Sequence, residues 1–225
     1  MSAATSALRE EICRIGRSLF ERGYVHASAG NISVRLGDDE GGGWLITPTD
    51  ACLGTLEPAR LAHIDAAGVQ LSGDRASKTL ALHRAIYAAA PEARCVLHTH
   101  STHLVALTLQ GVWSADDIVP PITPYFVMKV GHVPLVPYQR PGDPAVAAWV
   151  AGRIAAQAAA GRPIRAVMLE RLGPVAWHRS PAEASAVLEE LEETARLWLM
   201  TQGARPEPLA VERIAELCRA FGCHW

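Results

Sequence analysis

The sequence predicts an α/β fold in three layers, α/β/α, around a central and mostly antiparallel sheet, and three observations lead there. Segments of helical period alternate with short runs of strand-like alternation along the whole chain. Most of those runs are joined by turn-rich segments of hairpin type. Neither a GxGxxG nor a GxxxxGK[ST] stands between a strand and a helix, so a doubly wound nucleotide-binding sheet is not indicated.

Taken in order, Leu8, Ile12, Ile15 and Leu19 recur at helical spacing ahead of Gly23, a suitable C-terminal cap, and mark a helix over 6–22 with Gly16 inside it. Residues 30–36 and 44–47 alternate as strands around the glycine-rich loop 37–43. A second hairpin follows, 61–64 and 69–71 around the turn Asp65-Ala66-Ala67-Gly68, and then a helix over 79–90 carrying Leu82, Ile86 and Ala89. A strand over 94–100 leads to Ser101, placed as N-cap of a helix reaching Leu109. The proline-rich stretch 112–145 reads as short strands and loops, forming part of a site rim. An alanine-rich helix (144–160) and strands at 165–170 and 174–178 come next. The last element is a long helix with Ser180 as cap, Pro181 at its first position and Gly203 at its end.

With 225 residues, 49% hydrophobic and 20% charged, the composition suits a single domain, 1–225. A formal net charge of −2 leaves no basic footprint for nucleic acid. The start of the chain leads into a charged amphipathic helix, and no apolar run reaches membrane-spanning length, which points to a cytoplasmic protein. Five scattered cysteines fit reduced thiols better than a disulfide framework; Cys218 and Cys223 read as a helix-face thiol and a tail thiol without chemistry.

The segment Val96-Leu97-His98-Thr99-His100-Ser101-Thr102-His103 carries the chemistry. In an extended strand His98 and His100 share a face about 6.6 Å apart, near enough to grip one divalent metal, zinc by donor type. A catalytic zinc site takes three protein ligands and an open position, so a third donor is wanted.

The chain resembles the class II aldolase/adducin family over almost its whole length. The carriers are Ser28-Ala29-Gly30-Asn31-Ile32-Ser33, Ile46-Thr47-Pro48-Thr49, Ser72-Gly73-Asp74 with Ser77-Lys78, Leu82-His83 with Tyr87, the histidine segment, and Leu172-Gly173-Pro174-Val175. Thr123-Pro124-Tyr125, Val136-Pro137-Tyr138, Arg140-Pro141-Gly142-Asp143 and the run from Glu189 to Ala195 look most like its 3-oxo-tetronate 4-phosphate decarboxylase branch. The resemblance implies a divalent metal on His98 and His100, with a third His from an Asn-His-Gly-Pro stretch and a Glu after the Ser-Lys pair as acid or base. Here those two positions are Leu172 and Thr79. Leucine offers no lone pair, and threonine has no charge and no suitable pKa.

The resemblance further implies a phosphate cradle from Ser28, Gly30, Asn31, Thr49, Ser77 and Lys78. Asp50 stands where the family has glycine, which weakens the cradle through charge and lost backbone freedom. Tyr125 is implied over the substrate or in a subunit interface, and the resemblance implies a homotetramer with sites between subunits. The implied activity is a metal-dependent carbon–carbon lyase acting on a phosphorylated sugar acid, most closely 3-oxo-tetronate 4-phosphate decarboxylation. The alternative is a degenerate, metal-free member with a binding or structural role.

Other residues have plainer readings. Glu170, two residues before Leu172, is a substitute ligand or a partner of Arg171. His103 is packed or lies behind the ligands, and His83 and Tyr87 share a helix face against the core. His26, His63, His132, His178 and His224 have no ligand spacing and read as structural or surface residues. The alanine-rich helix reads as tightly packed, and the run Glu189–Glu193 as one solvated helix face.

Overall fold

The strand β1 (Asn31–Arg35) is paired on both edges, with β2 (Trp44–Ile46) on one side and β5 (Cys95–His98) on the other, and it sets the middle of the molecule. In the computed structural model, which describes residues 3–201 and 206–225, β3 (Ala62–Ile64) and β4 (Gln70–Ser72) extend the sheet beyond β2. Beyond β5 lie β8 (Gly173–His178), β7 (Ala166–Leu169) and β6 (Leu135–Val136), so eight strands run in the order β4-β3-β2-β1-β5-β8-β7-β6. Every neighbouring pair is antiparallel except β6 with β7.

The alternation of side chains along β5 divides the core. Cys95 and Leu97 face α1 (Ala3–Glu21), α3 (Thr102–Gln110) and α5 (Pro181–Thr201), joining Ile12, Leu19, Leu104, Leu107, Leu188 and Leu191. Val96 faces the opposite layer, α2 (Leu80–Ala89) and α4 (Pro144–Ala159), with Ile86, Val150, Ile154 and Trp177. Each such side chain contributes about 1.5–3 kcal/mol of burial free energy, so the sandwich is closed from both faces. The α/β/α layering matches the fold class read from the sequence.

Local capping side chains account for the starts of α4 and α5. Asp143 accepts from Ala145 N at 3.0 Å with Pro144 next, and Ser180 Oγ accepts from Glu183 N at 3.2 Å ahead of Pro181. Helix α1 begins earlier than the hydrophobic period indicated. Long helix α5 is described to Thr201; Gly203 lies outside the described residues. Among the described residues no helix is long and apolar enough to cross a membrane.

Four expectations need correcting. Strand β5 ends at His98, two residues short of the expected limit, because the backbone beyond it turns towards α3. Ser101 holds the N-cap position of α3, but its hydroxyl meets Thr99 Oγ1 at 2.6 Å and Tyr24 O at 3.3 Å and does not cap the helix. The cap comes from α5: the Glu192 carboxylate, 2% exposed, accepts from His103 N at 2.9 Å, His103 Nδ1 at 2.8 Å and Leu104 N at 3.1 Å.

The acidic run is therefore not simply a solvated face, since Glu189 also pairs with Arg22 at 2.5 Å. Finally, the proline-rich stretch contains a π-helical turn (Phe126–Val130), and α6 (Val211–Phe221), the helix that carries Cys218, packs near it. Its signal was the spacing of Val211, Ile214, Leu217 and Phe221 ahead of Gly222, and Cys218 and Cys223 at its end bring their sulfurs to 2.9 Å.

Replacing Glu192 by Ala leaves the first amides of α3 and the His103 imidazole without their buried acceptor. The expected loss is about 2–4 kcal/mol in urea unfolding, with Glu192→Gln retaining part of it because one amide oxygen still accepts.

Candidate active site

Five backbone segments lie side by side at one end of the sheet. Ser77 N donates to Thr47 O at 3.2 Å and Thr49 N to Arg75 O at 2.9 Å, which seats 75–77 against 47–49. Ile32 N donates to Thr47 Oγ1 at 3.1 Å, and Thr47 N to Ile32 O at 3.0 Å, which adds the start of β1. Across from Asn31 in register stands His98, and across from His98 stands Val175. Residues scattered over about 150 positions of sequence thus meet in one row.

Glycine makes the approach possible on both sides of β5. At Gly30, φ 84°, a Cβ would sit 2.8 Å from His98 O. At Gly173, φ 143°, it would sit 1.9 Å from Thr99 O and 3.1 Å from His100 Cα. The start of β8 therefore lies over the end of β5. Pro174 O there receives both Thr99 N at 3.3 Å and His98 Nδ1 at 2.9 Å.

That second bond settles the state of His98. With Nδ1–H donated to a carbonyl, the lone pair is on Nε2, the arrangement of a metal-ligating or basic imidazole. Burial, and then the nearby His100, lower its pKa to about 4 against the raising effect of Pro174 O, so it is neutral at pH 7. His100 is also shifted down, by burial and then by His26. The two rings stand edge to face with centroids 5.0 Å apart.

Behind them lies a polar network. Ser33 Oγ is 2.7 Å from His83 Nδ1 and 2.8 Å from Tyr87 Oη, and Tyr87 Oη donates to Ser33 O at 2.9 Å. Burial drives the pKa of His83 down to about 3, with His98 adding to the shift. Two polar atoms here are buried without partners, His83 Nε2 and Asn31 Oδ1. Such atoms mark an incomplete polar site.

A divalent cation fits part of this arrangement. Two imidazoles sharing one tetrahedral ion at about 2.1 Å place their ring centroids about 5 Å apart, which is the separation of His98 and His100. The other two family positions do not fit. Thr79 Oγ1 is 2.9 Å from Ser77 Oγ, and Leu172 packs against the apolar cluster of α2 and α4. Among the described residues no three His, Cys, Asp or Glu side chains converge, as placed, to hold an ion.

The remaining expected residues divide. Ser28 and Lys78 are exposed, and Thr49 and Ser77 half-buried, beside the row just described. Asp50 keeps the left-handed backbone expected of glycine, φ 57°, so the loop shape survives while the charge remains. Glu170 accepts from Tyr138 N at 2.8 Å and lies 3.9 Å from Arg171, and is thereby engaged away from a ligand role. His103 is held by Glu192, and His83 and Tyr87 pack on the sheet as expected. Tyr125 is 61% exposed, and its hydroxyl has no partner among the described residues. One residue read as structural or surface is neither remote nor buried: His26 presents its ring to His100 at 6.3 Å. No spacing rule could have found it, because the loop that brings it there is set by the sheet.

An α/β/α sandwich with paired imidazoles where β5 ends, flanked by a hydroxyl- and glycine-rich rim, defines a class of protein before any sequence is compared. Residues 10–199 match the family described as Class II Aldolase and Adducin N-terminal domain, and the chain belongs to that family. It is 59% identical over 224 residues to 3-oxo-tetronate 4-phosphate decarboxylase of Cupriavidus necator, covering 98% of each chain. To the protein of the same name from Escherichia coli K12 it is 46% identical over 213 residues, 94% of this chain and 95% of that one. The crystal structure of YgbL from Escherichia coli superposes with a TM-score of 0.85 at 43% identity, covering 95% of this chain and 99% of the other.

Two predictions follow from the geometry. Gly173→Ala drives a methyl group into Thr99 O at a backbone angle alanine rarely adopts, and is expected to cost about 3 kcal/mol or more in chemical unfolding. The second concerns acid. His83 and His98 titrate near 6.5 when unfolded and at about 3 and about 4 when folded, so between those limits the unfolded chain binds more protons. Stability is then fully present above pH 6.5 and falls as pH drops. Urea unfolding between pH 6.5 and 5, above most carboxylate titration, should lose on the order of 1.4 kcal/mol per pH unit for each group, and a flat profile would contradict the buried neutral assignment.

Proposed function

We propose that this chain is a carbon–carbon lyase that decarboxylates a phosphorylated 3-oxo sugar acid, 3-oxo-tetronate 4-phosphate being the form its relatives' names indicate. The observation that carries the reading is the neutral His98, its Nδ1 fixed by Pro174 O and its Nε2 free beside His100. Loss of CO₂ from a 3-oxo acid moves the C1–C2 bonding pair onto C2, where the C3 carbonyl delocalises it as an enolate. One proton added at C2 then completes a ketotriose phosphate. No prior proton abstraction is needed, so Thr79 in place of a carboxylate harms this reaction less than an aldol cleavage.

The chain's own residues take the following parts. Lys78, with the hydroxyls of Ser28, Thr49 and Ser77 and the backbone at Gly30, holds the phosphate, while Asp50 opposes it. The Asn31 amide, unpartnered at its oxygen and opposite His98, orients the hydroxy-keto end. A divalent cation on His98 and His100 would supply Lewis-acid stabilisation of the developing negative charge. In the tetramer that accompanies this reading, the exposed Tyr125 is free to reach a neighbouring subunit's substrate. A cytoplasmic location belongs to the same reading.

A second reading has one observation in its favour. Thr79 and Leu172 leave the family's ligand set short, and a member that binds phosphorylated acids without turning them over is consistent with that loss. Release of CO₂ and of ketotriose phosphate from 3-oxo-tetronate 4-phosphate, followed with a coupled reductase, separates the two. Turnover abolished by His98→Ala supports the lyase, and calorimetric binding of the acid without CO₂ release supports the binding protein. Restoring Leu172→His and Thr79→Glu together is expected to raise turnover roughly tenfold or more if the inherited site is intact.

A further inference from the structure

The last helix stops in a way that brings two thiols together. Gly222 takes left-handed backbone, φ 65°, and its N–H closes on Cys218 O at 2.9 Å. In a helix stop of this kind the residue after the left-handed glycine folds back over the residue whose carbonyl receives the glycine N–H. Those two residues are Cys223 and Cys218, and their sulfurs stand 2.9 Å apart. The turn is pinned on both sides. Ile214, 8% exposed, seats α6 on the body of the protein, and beyond Cys223 the Trp225 ring lies 4.4 Å from that of His132 and 5.9 Å from that of Phe126, centroid to centroid.

We propose that Cys218 and Cys223 form a dithiol site that a small disulfide such as oxidised glutathione converts to an intramolecular disulfide, tying the end of the chain to α6. The thiolate of one cysteine attacks a sulfur of the reagent RSSR, which forms a mixed disulfide and releases RS⁻. The thiolate of the other then attacks the protein sulfur of that mixed disulfide and releases the second RS⁻. The two thiol protons end on two RSH; the cysteine pair loses two electrons and RSSR gains them. Both thiols are half-buried and so open to a small reagent. Closing from 2.9 Å to the bonded distance of about 2.05 Å takes less than 1 Å of side-chain movement.

The other three cysteines lack this arrangement. Cys95 is fully buried, and neither Cys13 nor Cys52 has a sulfur partner among the described residues. Burial, and then the hydrogen bond with Cys218, push the Cys223 thiol up to about 11, so exchange quickens as pH rises and its thiolate fraction grows. The pair also stands apart from the row at the end of β5. His224, beside Cys223, lines a cavity with Trp177 and His178, at the end of β8 remote from Gly173. The proposal therefore does not rest on the lyase reading.

The test equilibrates the reduced full-length protein with glutathione redox buffers at mildly alkaline pH without oxygen, quenches with acid, and reads intact mass, thiol count and tryptic peptides. Trypsin cuts after Arg213 and Arg219, so Ile214–Arg219 and Ala220–Trp225 stay joined only through the proposed bond. Loss of two of the five thiols, the joined peptide pair and its release by dithiothreitol are expected, with no joined pair in Cys223→Ser. The same titration in unfolding guanidinium isolates the part played by the fold. The folded protein is expected to keep the bond at a [GSH]²/[GSSG] ratio roughly tenfold or more above that of the unfolded chain. Five thiols remaining, a product that stops at the glutathione adduct, bonds to Cys13, Cys52 or Cys95 instead, or equal ratios folded and unfolded would each overturn the proposal.

Discussion

The backbone grip on the end of β5 is the constraint on which the rest of the site depends. Gly30 from one neighbouring strand and Gly173 from the other bring their α-carbons against His98 O and Thr99 O, closer than any side chain would allow. Once the strand end is held between them, Pro174 O can take both Thr99 N and His98 Nδ1, and the tautomer of His98 is decided by main-chain geometry. The lone pair on Nε2, the neutrality of the ring and its distance from His100 all follow. A backbone carbonyl of the adjacent strand thus fixes the His98 ring.

Beyond β5 the chain must turn sharply into α3, and that turn is anchored from a distant element. Glu192, buried in α5, closes the first amides of α3 and holds His103 in the same bond set. The negative carboxylate at a helix N-terminus is favourable for the helix dipole, and its burial is tolerable because both oxygens are hydrogen-bonded. The segment from His98 to Leu104 is thereby fixed at both ends, by β8 at its start and by α5 at its finish. Rigidity of this kind is what a site needs if two imidazoles are to keep a separation suited to one ion.

The chain keeps the family's scaffold, with Thr79 at the start of α2 and Leu172 just before β8. One helical turn beyond Thr79, His83 Nε2 is buried with no hydrogen-bond partner. Leu172 joins the apolar cluster of α2 and α4.

The amino-acid pattern alone was enough for the layered α/β class, for most helix starts and for the pairing of His98 with His100. These depend on hydrophobic period, on capping residues and on spacing within one segment, all of them local. It was also enough for the family, whose glycines and hydroxyls keep their order along the chain. It did not show that β5 stops at His98, that Glu192 caps α3, that α6 packs near the π-helical turn, or that His26 stands beside His100. Each of these joins residues far apart in sequence or buried by packing, and no local period encodes a contact between elements. Tertiary structure decided them because backbone approach at Gly30 and Gly173, set by the register of three adjacent strands, determines which loops can reach the end of β5.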